Sequence, residues 1–182
     1  MSKSGKKGDS TLAALLREKP KRGRPPHAVS RQHVYVELTP TNKQLLKQLA
    51  AYLPDGLKRA DLSDLAVSVL TARLEALRRA VAGRNREIPE GITDLESLYL
   101  LWDLPLPDHS AERSWTSIRL SPQQSIELGR AHGTFNAIFG SNRSDTFELA
   151  LGLLQQFLEG GNFQNESLSL LDMQHRITDS YL

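Results

Sequence analysis

Two short segments with alternating apolar residues constrain the fold of this 182-residue chain more than any other feature. In residues 33–38 every second side chain (Val34, Val36 and Leu38) is apolar, which predicts a β-strand with one buried face. Residues 115–120 repeat the end of this pattern, with Ile118 and Leu120 at the alternate apolar positions. An isolated strand leaves its backbone amides and carbonyls unpaired. We therefore expect the two strands to pair as an antiparallel ribbon, either within one chain or between two chains.

Each predicted strand runs directly into a helix. Thr39 and Ser121 are N-cap residues, and each is followed by a proline, which suits the first turn of a helix. In the first unit we expect this helix to break at residues 54–56, and a second helix, capped by Asp61, to end at Gly83. The corresponding turn of the second unit has small and polar residues, namely Gly133, Gly140, Ser141 and Asn142.

The two strand-helix-helix units also correspond in sequence. Residues 36–40 (Val-Glu-Leu-Thr-Pro) match residues 118–122 (Ile-Arg-Leu-Ser-Pro) at an offset of 82, and residues 65–67 match residues 149–151 at an offset of 84. The order of elements, the helix caps and the apolar register all agree, which indicates an internal duplication. We therefore expect a mainly α fold with a short antiparallel β-ribbon, made of two strand-helix-helix repeats.

These patterns divide the chain into five segments. They are a flexible basic arm (1–32), a first unit (33–83), a linker (84–112), a second unit (113–160) and a C-terminal tail (161–182). The linker contains a short helical pattern, for which two roles are open: covering exposed core or docking a partner. The apolar cluster of the tail indicates either another packed helix or a tethered interaction segment.

Charge is distributed unevenly along the chain, although its net value is only +2. Residues 1–32 carry nine Lys or Arg against two acidic residues, residues 33–84 carry a net charge of +3, and residues 85–182 a net charge of −8. A basic end of this kind favours contact with a polyanion, and a merely solubilising tail is the alternative. No apolar run approaches the ~20 residues of a membrane span, so we expect no membrane association.

The strand-helix-helix pattern resembles the ribbon-helix-helix family of MetJ/Arc-like DNA-binding proteins. The residues that carry the resemblance are 34–40 with 62–70, and 116–122 with 143–154. The resemblance implies that the ribbon lies in the major groove of DNA, and that the second helix of each unit begins at the phosphate backbone. The implied base-facing residues are His33, Tyr35, Glu37, Trp115, Ser117 and Arg119. The implied phosphate-facing residues are Arg59, Asp61, Asn142, Arg143 and Ser144.

Residues 19–26, ahead of the first strand, read Lys-Pro-Lys-Arg-Gly-Arg-Pro-Pro. This segment resembles an AT-hook, whose Arg-Gly-Arg-Pro core binds the minor groove of A·T-rich DNA. The resemblance implies that the glycine lets the backbone approach the groove floor while the flanking arginines lie along it. The implied minor-groove residues are Lys21, Arg22, Gly23, Arg24 and Pro25. A basic linker without DNA contact is the alternative.

We therefore predict a non-catalytic DNA-binding protein, a site-specific transcriptional regulator in the cytoplasm at the nucleoid, with double-stranded and A·T-rich DNA as its partner. The alternative is a plasmid or chromosome partition adaptor that binds a centromere and engages a partition ATPase through its N-terminal arm. Any protein partner is expected at residues 10–18, at residues 95–102 or at the C-terminal tail. Cysteine is absent, and no metal-ligand spacing, phosphate-binding loop or nucleophile arrangement is present, so we expect neither an enzyme nor a cofactor.

Overall fold

The computed structural model describes residues 30–82, 88–161, 163 and 165–182. The fold is mostly helical with one two-stranded antiparallel sheet, which confirms the predicted fold class of a mainly α protein with a short β-ribbon. The elements in chain order are β1 (Gln32–Leu38), α1 (Pro40–Gln48), two short 3₁₀ helices (Leu49–Tyr52 and Arg59–Asp61), α2 (Leu62–Ala80), α3 (Leu95–Leu101), β2 (Ser114–Leu120), α4 (Pro122–Phe139), α5 (Arg143–Gly160) and α6 (Leu170–Tyr181). Among the described helices, none combines the length and hydropathy that a membrane span requires.

The strands β1 and β2 pair with each other within the chain. Tyr35 lies opposite Ser117 at the centre of the register, and each strand begins opposite the end of the other. One face of the ribbon packs into the core, since alternate side chains of a strand point to opposite faces. Its buried side chains are Val36, Leu38, Ile118 and Leu120. The ribbon thus has one core face and one outer face.

The helix starts follow the predicted caps in two places. Thr39 Oγ1 accepts a hydrogen bond from the backbone N–H of Asn42 (3.1 Å), and Ser121 Oγ accepts one from that of Gln124 (3.4 Å). The prediction that Asp61 caps α2 is wrong, because its carboxylate accepts from the backbone N–H of Lys58 (2.7 Å) in the preceding 3₁₀ helix. The helix after β1 is also shorter than predicted: it ends at Gln48 and continues as a 3₁₀ turn ahead of Pro54.

The turn of the second unit is shorter than predicted. Helix α4 runs through Gly133 and ends at Phe139, so Gly133 belongs to a helix and not to a turn. Gly140 follows in the left-handed region (φ 69°) and closes the helix. Asn142 then caps α5. The predicted stop of the other long helix, Gly83, lies outside the described residues.

Helices α2 and α5 form the centre of the core and pack against each other. Helix α3 covers part of this core, since Leu98, Tyr99 and the following Trp102 are buried. Helix α6 packs against α2 through Met173 and Ile177, both fully buried. Residues 95–102 therefore cover part of the core, and the tail contains a packed helix.

Candidate nucleic-acid interface

The outer face of the ribbon carries the six residues for which the family resemblance implies base contacts; we call this set the ribbon face. Across the register they form three pairs, His33 with Arg119, Tyr35 with Ser117, and Glu37 with Trp115. Five of the six are exposed and one, Glu37, is half-buried. The two aromatic side chains are the most prominent, with 62% of Tyr35 and 68% of Trp115 exposed. The strand alternation therefore brings all six together on one accessible surface.

Two charged side chains of the ribbon face are free to bind a ligand. His33 Nδ1 and Ser117 Oγ lie 2.7 Å apart, which fixes the imidazole against the neighbouring strand. The side chains of Arg119 and Glu37 make no hydrogen bond or ion pair with any other described residue. A free guanidinium can donate to both guanine acceptors of the major groove, and a free carboxylate can accept from the cytosine amine. The chemistry of the face thus suits base edges.

The N-terminus of α5 lies beside one end of the ribbon. The backbone N–H of Glu37 donates to Ser144 Oγ (2.8 Å), which ties β1 to this terminus. Asn142 and Asp145 form a reciprocal capping box, each side chain accepting from the other's backbone N–H at 3.0 Å. The backbone N–H groups of Arg143 and Ser144, at the first two helical positions, have no intrahelical acceptor. They are the groups at this terminus that an anion could use.

The terminus that precedes α2 differs in its donors. Arg59 is exposed, as its predicted phosphate role requires. The carboxylate of Asp61 instead forms an ion pair with Arg31, and its backbone N–H donates to the carbonyl of Lys58 (2.7 Å). Asp61 therefore has no donor left for a phosphate oxygen, whereas Arg59 and Lys58 present exposed cations at the same place.

An ion-pair arrangement that the sequence reading missed holds this end of the ribbon. Arg31, immediately before β1, pairs with Asp61 and lies 3.3 Å from Asp64 Oδ2. Asp64 is fully buried, and its Oδ1 accepts from the backbone N–H of Ser121 at the end of β2 (2.8 Å). Burial raises the pKa of Asp64 above its ordinary value, against the opposing effects of the Ser121 hydrogen bond and the Arg31 charge.

A second arrangement of the same kind holds the other end. Arg113, immediately before β2, places Nη1 2.6 Å from Asp145 Oδ1 and Nη2 2.7 Å from Glu148 Oε2, both on α5. We call these two sets the arginine clamps. The two arginines are 82 positions apart and the paired carboxylates 84 apart, the same offsets that relate the two units. Those offsets are the sequence signal that would have found the clamps.

Other predicted contact residues fall elsewhere. The arm residues Lys21, Arg22, Gly23, Arg24 and Pro25 lie outside the described residues, as does the segment 10–18. Within 95–102, Trp102 is only 6% exposed and belongs to the core. Leu100 and Leu101 are the large apolar side chains of that segment that face solvent, with 67% and 52% exposed.

Comparison with protein-family models, with curated proteins and with solved structures finds no match to the chain. The interpretation of the ribbon face consequently depends on its own geometry. Three properties carry that interpretation: the face is exposed, it is joined to the core beneath and to an arginine clamp at each end, and it presents unpaired hydrogen-bonding groups.

Proposed function

We propose that this chain is a non-catalytic, sequence-specific DNA-binding protein that acts as a transcriptional regulator and inserts its ribbon face into the major groove. The observation that carries the proposal is the ribbon itself: six side chains suited to base edges stand on one side, and the other side is buried core. A two-stranded ribbon fits a groove about 12 Å wide, where each base pair presents a distinct donor and acceptor pattern.

We also propose that the chain is a tandem of two ribbon-helix-helix repeats. The clamps support this, because they join equivalent residues in the two units. The register supports it as well, since Tyr35 and Ser117 are themselves 82 positions apart and lie opposite each other. An approximate two-fold axis would then pass through the centre of the ribbon, as expected for two paired copies.

Charges around the ribbon are consistent with DNA as the ligand. Exposed cations stand at both helix starts beside the ribbon, Lys58 and Arg59 at one and Arg143 at the other. In each arginine clamp the guanidinium partly neutralises the carboxylates near the helix start, which reduces their repulsion of DNA phosphates. The rest of the basic arm precedes Arg31 in the sequence, and it would add phosphate and minor-groove contacts.

Selection from a random duplex library, followed by fluorescence anisotropy on the enriched duplex, tests the proposal. We expect Arg119→Ala to weaken binding by about fivefold or more, because a bidentate base contact contributes about 1–3 kcal/mol. Arg130→Ala is the matched control, since Arg130 is 68% exposed but lies on α4 outside the ribbon; its binding should change by less than about twofold. Equal effects of both substitutions, or the absence of binding to any duplex, would contradict the proposal.

A further inference from the structure

The two strands of the ribbon face carry different side chains at equivalent positions. With the offset of 82, His33 corresponds to Trp115, Tyr35 to Ser117, and Glu37 to Arg119. The third correspondence is the most consequential, because it relates a carboxylate to a guanidinium. Both side chains lack a partner among the described residues, and they lie near opposite ends of the ribbon. The two ends of the outer face therefore differ in chemistry, although the antiparallel register pairs the two strands evenly about Tyr35 and Ser117.

We infer that this chain recognises a directional, non-palindromic DNA site, with a guanine facing Arg119 and a cytosine facing Glu37. The inference rests on the proposed DNA-binding function. Two identical subunits related by a two-fold axis read a palindrome, because each half-site meets the same side chains. A palindromic site would present the same base edge to Arg119 and to Glu37. An edge with the guanine acceptors O6 and N7 satisfies the guanidinium but repels the carboxylate.

The remaining pairs of the ribbon face strengthen the direction. At the Arg119 end the neighbouring strand offers His33, which is held by its contact with Ser117 (2.7 Å). At the Glu37 end it offers Trp115, a bulky apolar ring that suits contact with a thymine methyl group. The two ends thus differ in size and polarity as well as in charge.

The test compares the sites selected by the full-length wild-type chain and by Glu37→Arg. This substitution places an arginine at both equivalent positions and leaves intact the Glu37 backbone N–H that donates to Ser144. We expect the wild type to enrich a non-palindromic motif and to bind a palindrome made from its guanine half at least tenfold more weakly. Glu37→Arg should reverse this preference in favour of the palindrome.

Arg119→Gln is a second test variant in case Glu37→Arg does not fold, as judged by circular dichroism. Arg119→Gln should relax base preference at the guanine that faces residue 119 and leave the preference for cytosine at the Glu37 end unchanged. Enrichment of a palindrome by the wild type, or symmetric loss of preference in Arg119→Gln, would overturn the inference while leaving DNA binding intact. Failure to bind any duplex would overturn the proposed function together with it.

Discussion

Removing the arginine clamp at the start of β2 should destabilise the fold measurably. Arg113 makes two charge-assisted hydrogen bonds, to Asp145 (2.6 Å) and Glu148 (2.7 Å), and the three side chains are 19%, 21% and 10% exposed. Breaking a fully buried pair costs about 3–5 kcal/mol, whereas exposed pairs contribute about 1 kcal/mol or less. Because these groups retain some contact with water, we expect Arg113→Ala to lower the free energy of unfolding by about 2 kcal/mol.

Urea denaturation followed by far-UV circular dichroism measures this change, provided that the slope with denaturant stays constant. Arg79→Ala is the matched control, because its pair with Glu75 is 3.4 Å long and 58% and 40% exposed; it should cost less than about 0.5 kcal/mol. Arg113→Lys keeps the charge but loses the fork that reaches two carboxylates, so its cost should be intermediate. Equal costs for Arg113→Ala and Arg79→Ala would refute the reasoning.

Three further predictions concern the backbone, the buried carboxyl and the arm. Gly56→Ala should destabilise the fold by about 2 kcal/mol in urea denaturation, since Gly56 has a φ of 98° and an added Cβ would lie 2.8 Å from the carbonyl oxygen of Leu168. Burial raises the pKa of Asp64, so the folded chain binds the carboxyl proton more tightly than the unfolded chain does. The free energy of unfolding therefore falls as the pH rises through the folded-state pKa. Asp64→Asn should therefore gain stability relative to the wild type as the pH rises above the ordinary aspartate pKa of about 4, measured by urea denaturation at a series of pH values. Arg22→Ala/Arg24→Ala should abolish preference for A·T-rich over G·C-rich duplexes in anisotropy.

Each of these has a clear contrary outcome. Gly91→Ala is the control for the turn, because nothing lies within 4 Å of its added Cβ; a similar cost for both glycines would contradict the account. A stability difference between Asp64→Asn and wild type that is independent of pH would contradict the raised pKa. Lys6→Ala/Lys7→Ala removes the same charge as Arg22→Ala/Arg24→Ala. An equal loss of A·T preference in both variants would mean that the arm acts through its positive charge alone and not through a specific minor-groove contact.

The ribbon was predictable because strand alternation is a local signal. A side chain two positions along a strand returns to the same face, so Val36 and Leu38 specify the buried side and Tyr35 and Glu37 the outer side. The caps at Thr39 and Ser121 were predictable for the same reason, since the acceptor and its donor are three residues apart.

What the sequence reading missed depends on contacts between distant residues. Asp61 looked like the cap of α2, but its carboxylate accepts from the backbone N–H of Lys58 and also pairs with Arg31, thirty positions earlier. Gly133 looked like a turn residue, but a glycine costs a helix only about 1 kcal/mol, and the neighbouring Ala131 and Phe135 bury the same helix in the core. The environment of both residues is set by tertiary packing, and a local sequence pattern does not carry that information.

The candidate site was predictable to the same extent. Alternation identified all six residues of the ribbon face, but only the register shows which of them lie opposite each other. That register separates Glu37 from Arg119 and places each near a different end. The direction of the proposed DNA site follows from this separation, and it could not be obtained from either strand alone.

The most direct test of the ribbon face as the DNA-binding surface is a ¹⁵N-HSQC titration of the full-length chain with the enriched duplex. The chain has two tryptophans, and the structure separates them: Trp115 is 68% exposed on the ribbon face, whereas Trp102 is 6% exposed in the core. We expect the indole N–H signal of Trp115 and the amide signals of β1 and β2 to move with added DNA, and the indole signal of Trp102 to stay in place. Binding that leaves the Trp115 and ribbon signals unmoved would contradict the central claim.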